Sequence, residues 1–292
     1  MAHTFDEVTY TGNGSFTLGD YKTSFDVDKH ERPHFEQLTE ENLKRMEKLQ
    51  DKLYAEAQEG VIIIFQAMDA AGKDSTIKRV MSGINPQGVD VYSFKQPTHQ
   101  ELAHDFLWRA SQHVPPRGKI AIFNRSYYED VLVVRVHNLQ ENYRMPKRCL
   151  DIPKHQFFNQ RYKAISAFEQ YLVNEGYRVV KFFLHISREE QAKRFLERID
   201  NPDKNWKFSE ADVTERAFWD AYHESYEEAI QETSTHDAPW HIIPADQKWY
   251  ARWLVSSIIC QTLEGIDPHY PVPPADIKDD LARARCRLLA GE

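Results

Sequence analysis

The 292-residue sequence predicts a three-layer α/β domain: a mostly parallel, five-stranded sheet between helices, with a helical lid. Short apolar runs alternate with stretches in which apolar residues recur every three or four positions. The links between them are short. One run, Val61 to Phe65, is apolar at every position, the pattern of a strand covered on both faces in the middle of a parallel sheet.

Residues 1–34 have mixed polar composition without sustained period and read as an extended or wrapping arm. From Thr39 a helical stripe runs through Leu43, Met46, Leu53 and Ala57, and Gly60 ends it. After Val61–Phe65, Ile77 to Met81 is helical. Val89 to Phe94 is the second strand. Thr98 to His113 reads as a helix closed by Pro115-Pro116, and Lys119 to Phe123 as the third strand. A helix is expected through Tyr127 to His137, followed by an irregular insertion over Asn138 to Pro153. The helix Lys154 to Asn174 carries Phe158, Ile165, Phe168 and Leu172 on one side, with Gly176 as its cap. Tyr177 to Ile186 is the fourth strand, and Ser187-Arg188-Glu189-Glu190 is a capping box. Asn201-Pro202 breaks the next helix, Ser209 restarts one, His241 to Pro244 is the last strand, and a helix covers Asp246 to Leu263. The predicted body is therefore 35–267, with a lid at about 194–225 and a tail over 268–292.

Composition limits the function classes. The chain is 41% apolar with 16 Phe, 14 Tyr and 6 Trp, enough for a packed core. Its net charge of −8 argues against general adhesion to nucleic acid or to an anionic membrane, so any polyanionic substrate needs a local basic site. No apolar run approaches the roughly 20 residues of a membrane span. Met1 to Tyr10 is polar, without the pattern of a secretory signal. Cys149, Cys260 and Cys286 are far apart and unpaired, which fits a reducing, cytoplasmic setting. The 13 histidines show no metal-ligand spacing.

The chemistry is concentrated after the first strand, in Ala67-x4-Gly72-Lys73. A strand, a loop of small residues and a Gly-Lys pair opening a helix form a phosphate cradle: backbone N–H groups converge, the helix dipole adds positive charge, and the lysine reaches phosphate oxygens. Two positions depart from the usual pattern. Ala67 replaces the first glycine, and Asp74 stands where Ser or Thr normally meets the metal, with Ser75 and Thr76 following late. Asp69 inside the loop would repel phosphate unless a divalent cation lay between them. After the third strand come Asn124-Arg125-Ser126-Tyr127-Tyr128-Glu129-Asp130. Asn124 takes the place of a metal-orienting aspartate, and Arg125 suits a fork on phosphate. Glu129 and Asp130 are explained equally by the helix dipole and by a site. Lys193, Arg194, Arg198, Lys204 and Lys207 form a basic group that would ordinarily be a solvated helix face. Its place at a Pro-containing break after the fourth strand argues for a mobile lid.

These residues resemble the polyphosphate kinase 2 family, whose P-loop kinase fold is similar to that of thymidylate kinase. The resemblance runs from about Phe35 to Leu263. Its marks are Met68 to Asp74 with Thr76-Ile77, Phe94 to Thr98, Asp105 to Arg109, Asn124 to Leu132, Arg194-Phe195 with Arg198, Asn201 to Ser209, and Ile243 to Asp246. It implies phosphoryl transfer between inorganic polyphosphate and a nucleotide, with Mg2+ (or Mn2+), by a homo-oligomer. Asn124 with Tyr128 to Leu132 resembles the class III branch, whose members phosphorylate both AMP and ADP; GMP and GDP are further expected acceptors. On that reading Lys73 and the amides of Ala70, Ala71, Gly72, Asp74 and Ser75 hold the transferring phosphate beside Asn124. Asp69 holds the metal with Glu129 or Asp130, and Arg125, Arg194, Arg198, Lys204 and Lys207 grip polyphosphate. Lys95, Arg109, Arg135, Glu129 and Asp130 are nucleotide-side candidates. The nearest rival is an ATP-dependent nucleoside monophosphate kinase, which would carry the first glycine and a Ser or Thr after the lysine.

Overall fold

The computed structural model describes residues 5–291. Six strands form one sheet: β1 (Thr9–Tyr10), β2 (Gly60–Ala67), β3 (Val89–Ser93), β4 (Ile120–Asn124), β5 (Tyr177–His185) and β6 (Trp240–Pro244), in the order β1-β6-β5-β2-β4-β3. β2 through β6 are parallel and correspond to the five strands expected. The sixth, β1, is a two-residue strand from the arm that pairs antiparallel with β6, Thr9 opposite His241. Its brevity explains why no period marks it in the sequence.

β2 is the sheet's axis. It pairs with β4 from Val61 opposite Ile120 to Phe65 opposite Asn124, and with β5 from Gly60 opposite Tyr177 to Ala67 opposite Leu184. Every residue of β2 is buried, because helices cover both faces. One layer holds Arg32–Glu56 and Lys248–Ile266, packed on each other and on Lys73–Val80. Lys154–Asn174 and Trp219–Thr233 pack against each other, and Lys154–Asn174 also covers β5. The chain leaves β2 toward β3 and β4 and then crosses to β5 and β6 on the other side. The carboxyl ends of β2 and β4 therefore lie together where the connections diverge, the place where such sheets bind ligands.

Residues of the arm lie across this body. Phe16 N–H donates to Gln231 Oε1 (2.5 Å), Leu18 N–H to Glu227 Oε2 (2.7 Å) and Asp246 N–H to the Thr23 carbonyl (3.0 Å). Residues 1–4 fall outside the described ones. At the other end, Ala275–Ala290 is helical, with Leu281, Leu288 and Leu289 exposed.

Two expected helices are corrected. Thr98 to His113 contains only the 3₁₀ turn Glu101–Ala103 and the single turn Trp108–Ser111. Side chains take over the backbone there: Glu101 accepts from Thr98 N–H (2.7 Å) and Asp105 from Leu107 N–H (3.0 Å). Tyr127 to His137 is likewise a 3₁₀ turn, Tyr127–Asp130, and one α turn, Val133–Val136. The long helix Lys154–Asn174 has the bounds expected, and Ser187 caps Arg188–Asp200 by accepting from Glu190 N–H (3.1 Å). No helix of the described residues is long and apolar enough to cross a membrane.

Candidate active site

The loop 68–72 leaves the end of β2 and turns into the helix Lys73–Val80. Gly72, at φ 106°, occupies backbone space that side chains rarely enter, and Ala70 adopts φ 60° beside it. This turn directs the first amides of the helix at a cavity of about 610 Å³ lined by the whole loop from Asp69 to Ser75. Lys73 folds over the loop, its Nζ donating to the Ala67 carbonyl (2.7 Å). Burial, then the nearby Arg125, pull its ammonium down to about 8; Asp69, Glu129 and Asp74 oppose them.

β4 brings the second set. Its last residue, Asn124, donates from Nδ2 to Asp74 Oδ1 (2.8 Å), so two of the departures from the usual pattern, one after each strand, are partners. Arg125 sits in the left-handed region at φ 62°, pinned by its N–H on the Phe65 carbonyl (3.0 Å). From there Nη2 reaches Asp69 Oδ1 (3.1 Å) and Nη1 lies 3.7 Å from Glu129 Oε2. Glu129 and Asp69 also hold the Arg125 charge, against its burial. Burial raises the Glu129 carboxyl, and Arg125 and Lys73 work against that rise. Asp69 lines the cavity wall, whereas Glu129 sits one layer back, behind the guanidinium.

The far wall comes from the stretch after β5. Arg198, Lys204, Trp206 and Lys207 line the cavity, with Lys95 across from them after β3. Lys204 is loosely paired with Glu197 (3.5 Å), Arg198 with Asp212 (3.4 Å), and Trp206 is 78% exposed. Lys248 joins them, as does Asp212, whose carboxyl is raised by burial and by facing Asp69. Sequence reasoning missed Lys248, although it opens the helix after β6 and thus lies at the carboxyl end of a parallel strand, where ligand groups collect.

Four candidates lie elsewhere than on the open wall of this cavity. Arg194 lines the same cavity but is 3% exposed, and five bonds engage the five N–H groups of its guanidinium. Nε donates to Glu190 (2.9 Å), Nη1 to the Ala70 (3.2 Å) and Ala71 (2.7 Å) carbonyls, and Nη2 to those of Ala245 (2.6 Å) and Asp246 (3.1 Å). It braces the phosphate loop and has no N–H free to grip a chain. Asp130 is turned away from the loop: it accepts from Tyr143 OH (2.6 Å) and Arg161 Nη1 (3.1 Å), and so cannot join Asp69 on one metal. Arg109 lies with it in a second cavity of about 330 Å³, whose walls include Phe106, Tyr143 and Arg161. Arg109 Nη2 donates to the Lys95 carbonyl (2.8 Å) and its group lies over the Phe94 ring. Arg135 serves neither cavity: Nη1 donates to Tyr162 OH (3.1 Å) and pairs with Glu228.

The Asp69 carboxylate suits a divalent cation, of which Mg2+ is one. That cation is usually held by one or two carboxylates plus substrate phosphates rather than by an all-protein cage. Asp69 supplies such a carboxylate on the cavity wall, with Glu129 behind it on Arg125, and no cluster of three metal-ligating side chains occurs among the described residues.

Known proteins resemble this chain in sequence and in fold. The sequence profile of the family described as Polyphosphate kinase 2 (PPK2) matches residues 29–271. The chain is 47% identical over 273 residues to an ADP-polyphosphate phosphotransferase of Rhodopseudomonas palustris, covering 93% of this chain and 94% of that one. It is 54% identical over 230 residues to an AMP/ADP-polyphosphate phosphotransferase of Meiothermus ruber, covering 79% and 81%. The crystal structure of polyphosphate kinase 2 from Arthrobacter aurescens TC1 superposes with a TM-score of 0.86 at 37% identity, over 97% of both chains. The phosphate loop, the Asn124-Arg125 strand end and the basic far wall lie within the matched region: the chain belongs to the polyphosphate kinase 2 family.

Proposed function

We propose that this chain transfers the terminal phosphoryl group of inorganic polyphosphate to AMP and to ADP, giving ADP and ATP, reversibly and with Mg2+. One observation carries the reading. In a protein of net charge −8, Lys73, Arg125, Arg198, Lys204, Lys207, Lys248 and Lys95 line a single open cavity that ends on a phosphate loop. A cavity so lined suits a donor that is a chain of phosphates with no base or ribose to recognise. The nucleotide enters from the second cavity, where Phe106 and Tyr143 line the wall and Arg109, Arg144 and Arg161 stand among Glu101, Asp105 and Asp130.

Phosphoryl transfer needs in-line positioning and charge neutralisation more than covalent help from the protein. Lys73 and the amides of the loop hold the transferring group, and Arg125 neutralises oxygens on its β4 side. Asp69, with Glu129 behind it, would hold Mg2+, whose charge would offset that of the phosphate oxygens. No general base is required, because the acceptor is a phosphate oxygen already ionised at neutral pH. The stretch from Arg198 to about residue 225 closes over the donor and excludes water, with Arg194 as its fixed root.

The deciding assay supplies Mg2+ and AMP with either polyphosphate or ATP and follows products by chromatography. ADP, then ATP, from polyphosphate is expected; ADP formed only with ATP would make the chain a nucleoside monophosphate kinase. GMP and GDP serve as further acceptors in the same assay. Asp69→Asn is expected to lower turnover at least a hundredfold at saturating Mg2+, and near-full turnover would remove the metal role. Free Cys149, Cys260 and Cys286 suit the reducing cytoplasm, and light scattering reads whether the protein assembles as a homo-oligomer.

A further inference from the structure

Beneath the site lies an ion pair that the chemistry does not touch. Lys181, in the middle of β5, and Glu169, on the helix Lys154–Asn174, are 0% and 1% exposed, with Nζ 2.6 Å from Oε2. The three N–H groups of Lys181 are all used: on Glu169, on the Thr233 carbonyl (2.8 Å) and on Tyr128 OH (3.2 Å). The other carboxylate oxygen, Oε1, accepts from Tyr127 OH and from Tyr128 OH, each at 2.8 Å. Two residues adjacent in sequence are thus fastened to one buried atom.

A buried ion pair gains little net stability over apolar residues of the same volume, so its presence asks for another reason. The tyrosines supply one. They begin the 3₁₀ turn Tyr127–Asp130, in which successive side chains point about 120° apart. Once Tyr127 and Tyr128 are held inward, the directions of the next two residues are fixed. Glu129 goes toward Arg125 and the phosphate loop, and Asp130 toward Arg161, Tyr143 and the second cavity. Arg125 enters the turn at φ 62°, a conformation that persists only where its surroundings over-determine it. Ser126 adds to that restraint, its Oγ accepting from Tyr128 N–H (3.2 Å).

We infer that Glu169 and Lys181, acting through the hydroxyls of Tyr127 and Tyr128, are positioning residues that set Arg125 and Glu129 against the phosphate loop. The inference rests on the proposed reading of that loop as the transfer site. None of the four touches substrate, so losing them alters how well the transition state is held while leaving polyphosphate capture, which depends on the far wall, intact.

The test uses the full-length protein and two double variants. Tyr127→Phe with Tyr128→Phe removes both hydroxyls and keeps the rings. Glu169→Leu with Lys181→Met removes both charges together, which avoids stranding one of them. Each is expected to fold, to keep KM for polyphosphate within twofold, to lose tenfold or more in kcat, and to need severalfold more Mg2+ for half-maximal rate. A folded variant with kcat and Mg2+ requirement within twofold of the parent would overturn the inference, as would a KM for polyphosphate rising in step with the loss. If the charge-free variant does not fold, the Phe pair decides. Mn2+ titration in the presence of tripolyphosphate, read by electron paramagnetic resonance, needs no acceptor. Weaker Mn2+ binding in the variants supports the device and unchanged binding sinks it, even should AMP and ADP prove not to be acceptors.

Discussion

A carboxylate at position 74 stands where phosphate loops usually present a hydroxyl to the metal, so a neighbour has to hold it. That neighbour is Asn124, donating across 2.8 Å from the end of β4. An aspartate at 124 would set two carboxylates against each other beside a phosphate. Asn124→Asp is therefore expected to lower kcat/KM at least tenfold at millimolar Mg2+, with partial recovery as Mg2+ is raised. Exchanging the pair, Asp74→Asn with Asn124→Asp, should restore most of the loss. In a double-mutant cycle the coupling is about 1.5 kcal/mol, the lower end for a hydrogen bond to a charged group. Additive effects of the two substitutions would show that the contact has no functional weight. From the sequence each letter is a separate oddity, because only the register of β2 with β4 brings position 124 to the loop.

At the scale of elements, the stretch between Arg188–Asp200 and Trp219–Thr233 divides into a fixed part and a loose part. Arg194 is buried and locked to the carbonyls of Ala70 and Ala71, while Lys204 is paired only loosely with Glu197 and Lys207 lies over the Trp206 ring, with no ion pair among the described residues. Lys204→Ala with Lys207→Ala is expected to raise KM for polyphosphate fivefold or more and to change kcat less than threefold. An unchanged KM would remove these lysines from the donor path. Arg194→Lys should do the opposite, lowering kcat and thermal stability together, because an ammonium has three N–H groups for five acceptors.

The same scale shows what the sequence could and could not display. The five parallel strands and the helix Lys154–Asn174 are legible because burial on one or both faces writes a period into consecutive residues. The segments 98–113 and 127–137 mislead because their apolar residues do recur at helical spacing. What settles their form is distant: Glu169 holding Tyr127 and Tyr128, and the Lys95 carbonyl holding Arg109. Within the site, Lys73, Asp69 and Arg125 follow from strand ends alone. The inward turn of Arg194 and the outward turn of Asp130 depend on partners 51 to 124 and 13 to 31 positions away, respectively.

For the whole molecule, the arm and the core are linked through histidines that are buried uncharged. His241, on β6, is pushed down to about 3 by burial and by Lys181 nearby; His185, at the end of β5, is lowered to about 4 by burial and by His223. Thr9 Oγ1 donates to the Phe5 carbonyl (2.7 Å), so in its 2.9 Å contact with His241 Nδ1 the ring is the donor. The neutral ring thereby fastens β1 to the sheet edge. In the unfolded chain both rings titrate near 6.5. The unfolded state therefore takes up protons first as pH falls, and the stability present above pH 6.5 is lost progressively below it, until the folded-state values are reached. Each ring contributes a slope of about 1.4 kcal/mol per pH unit over that window. Denaturant titrations between pH 7.5 and 5 should show a steep fall in stability, well above the range where most carboxylates protonate. His241→Asn keeps a donor toward Thr9 and removes the titration, so its profile should be shallower by about one ring's share. A variant as acid-sensitive as the parent would mean that His241 is not what couples the arm to pH.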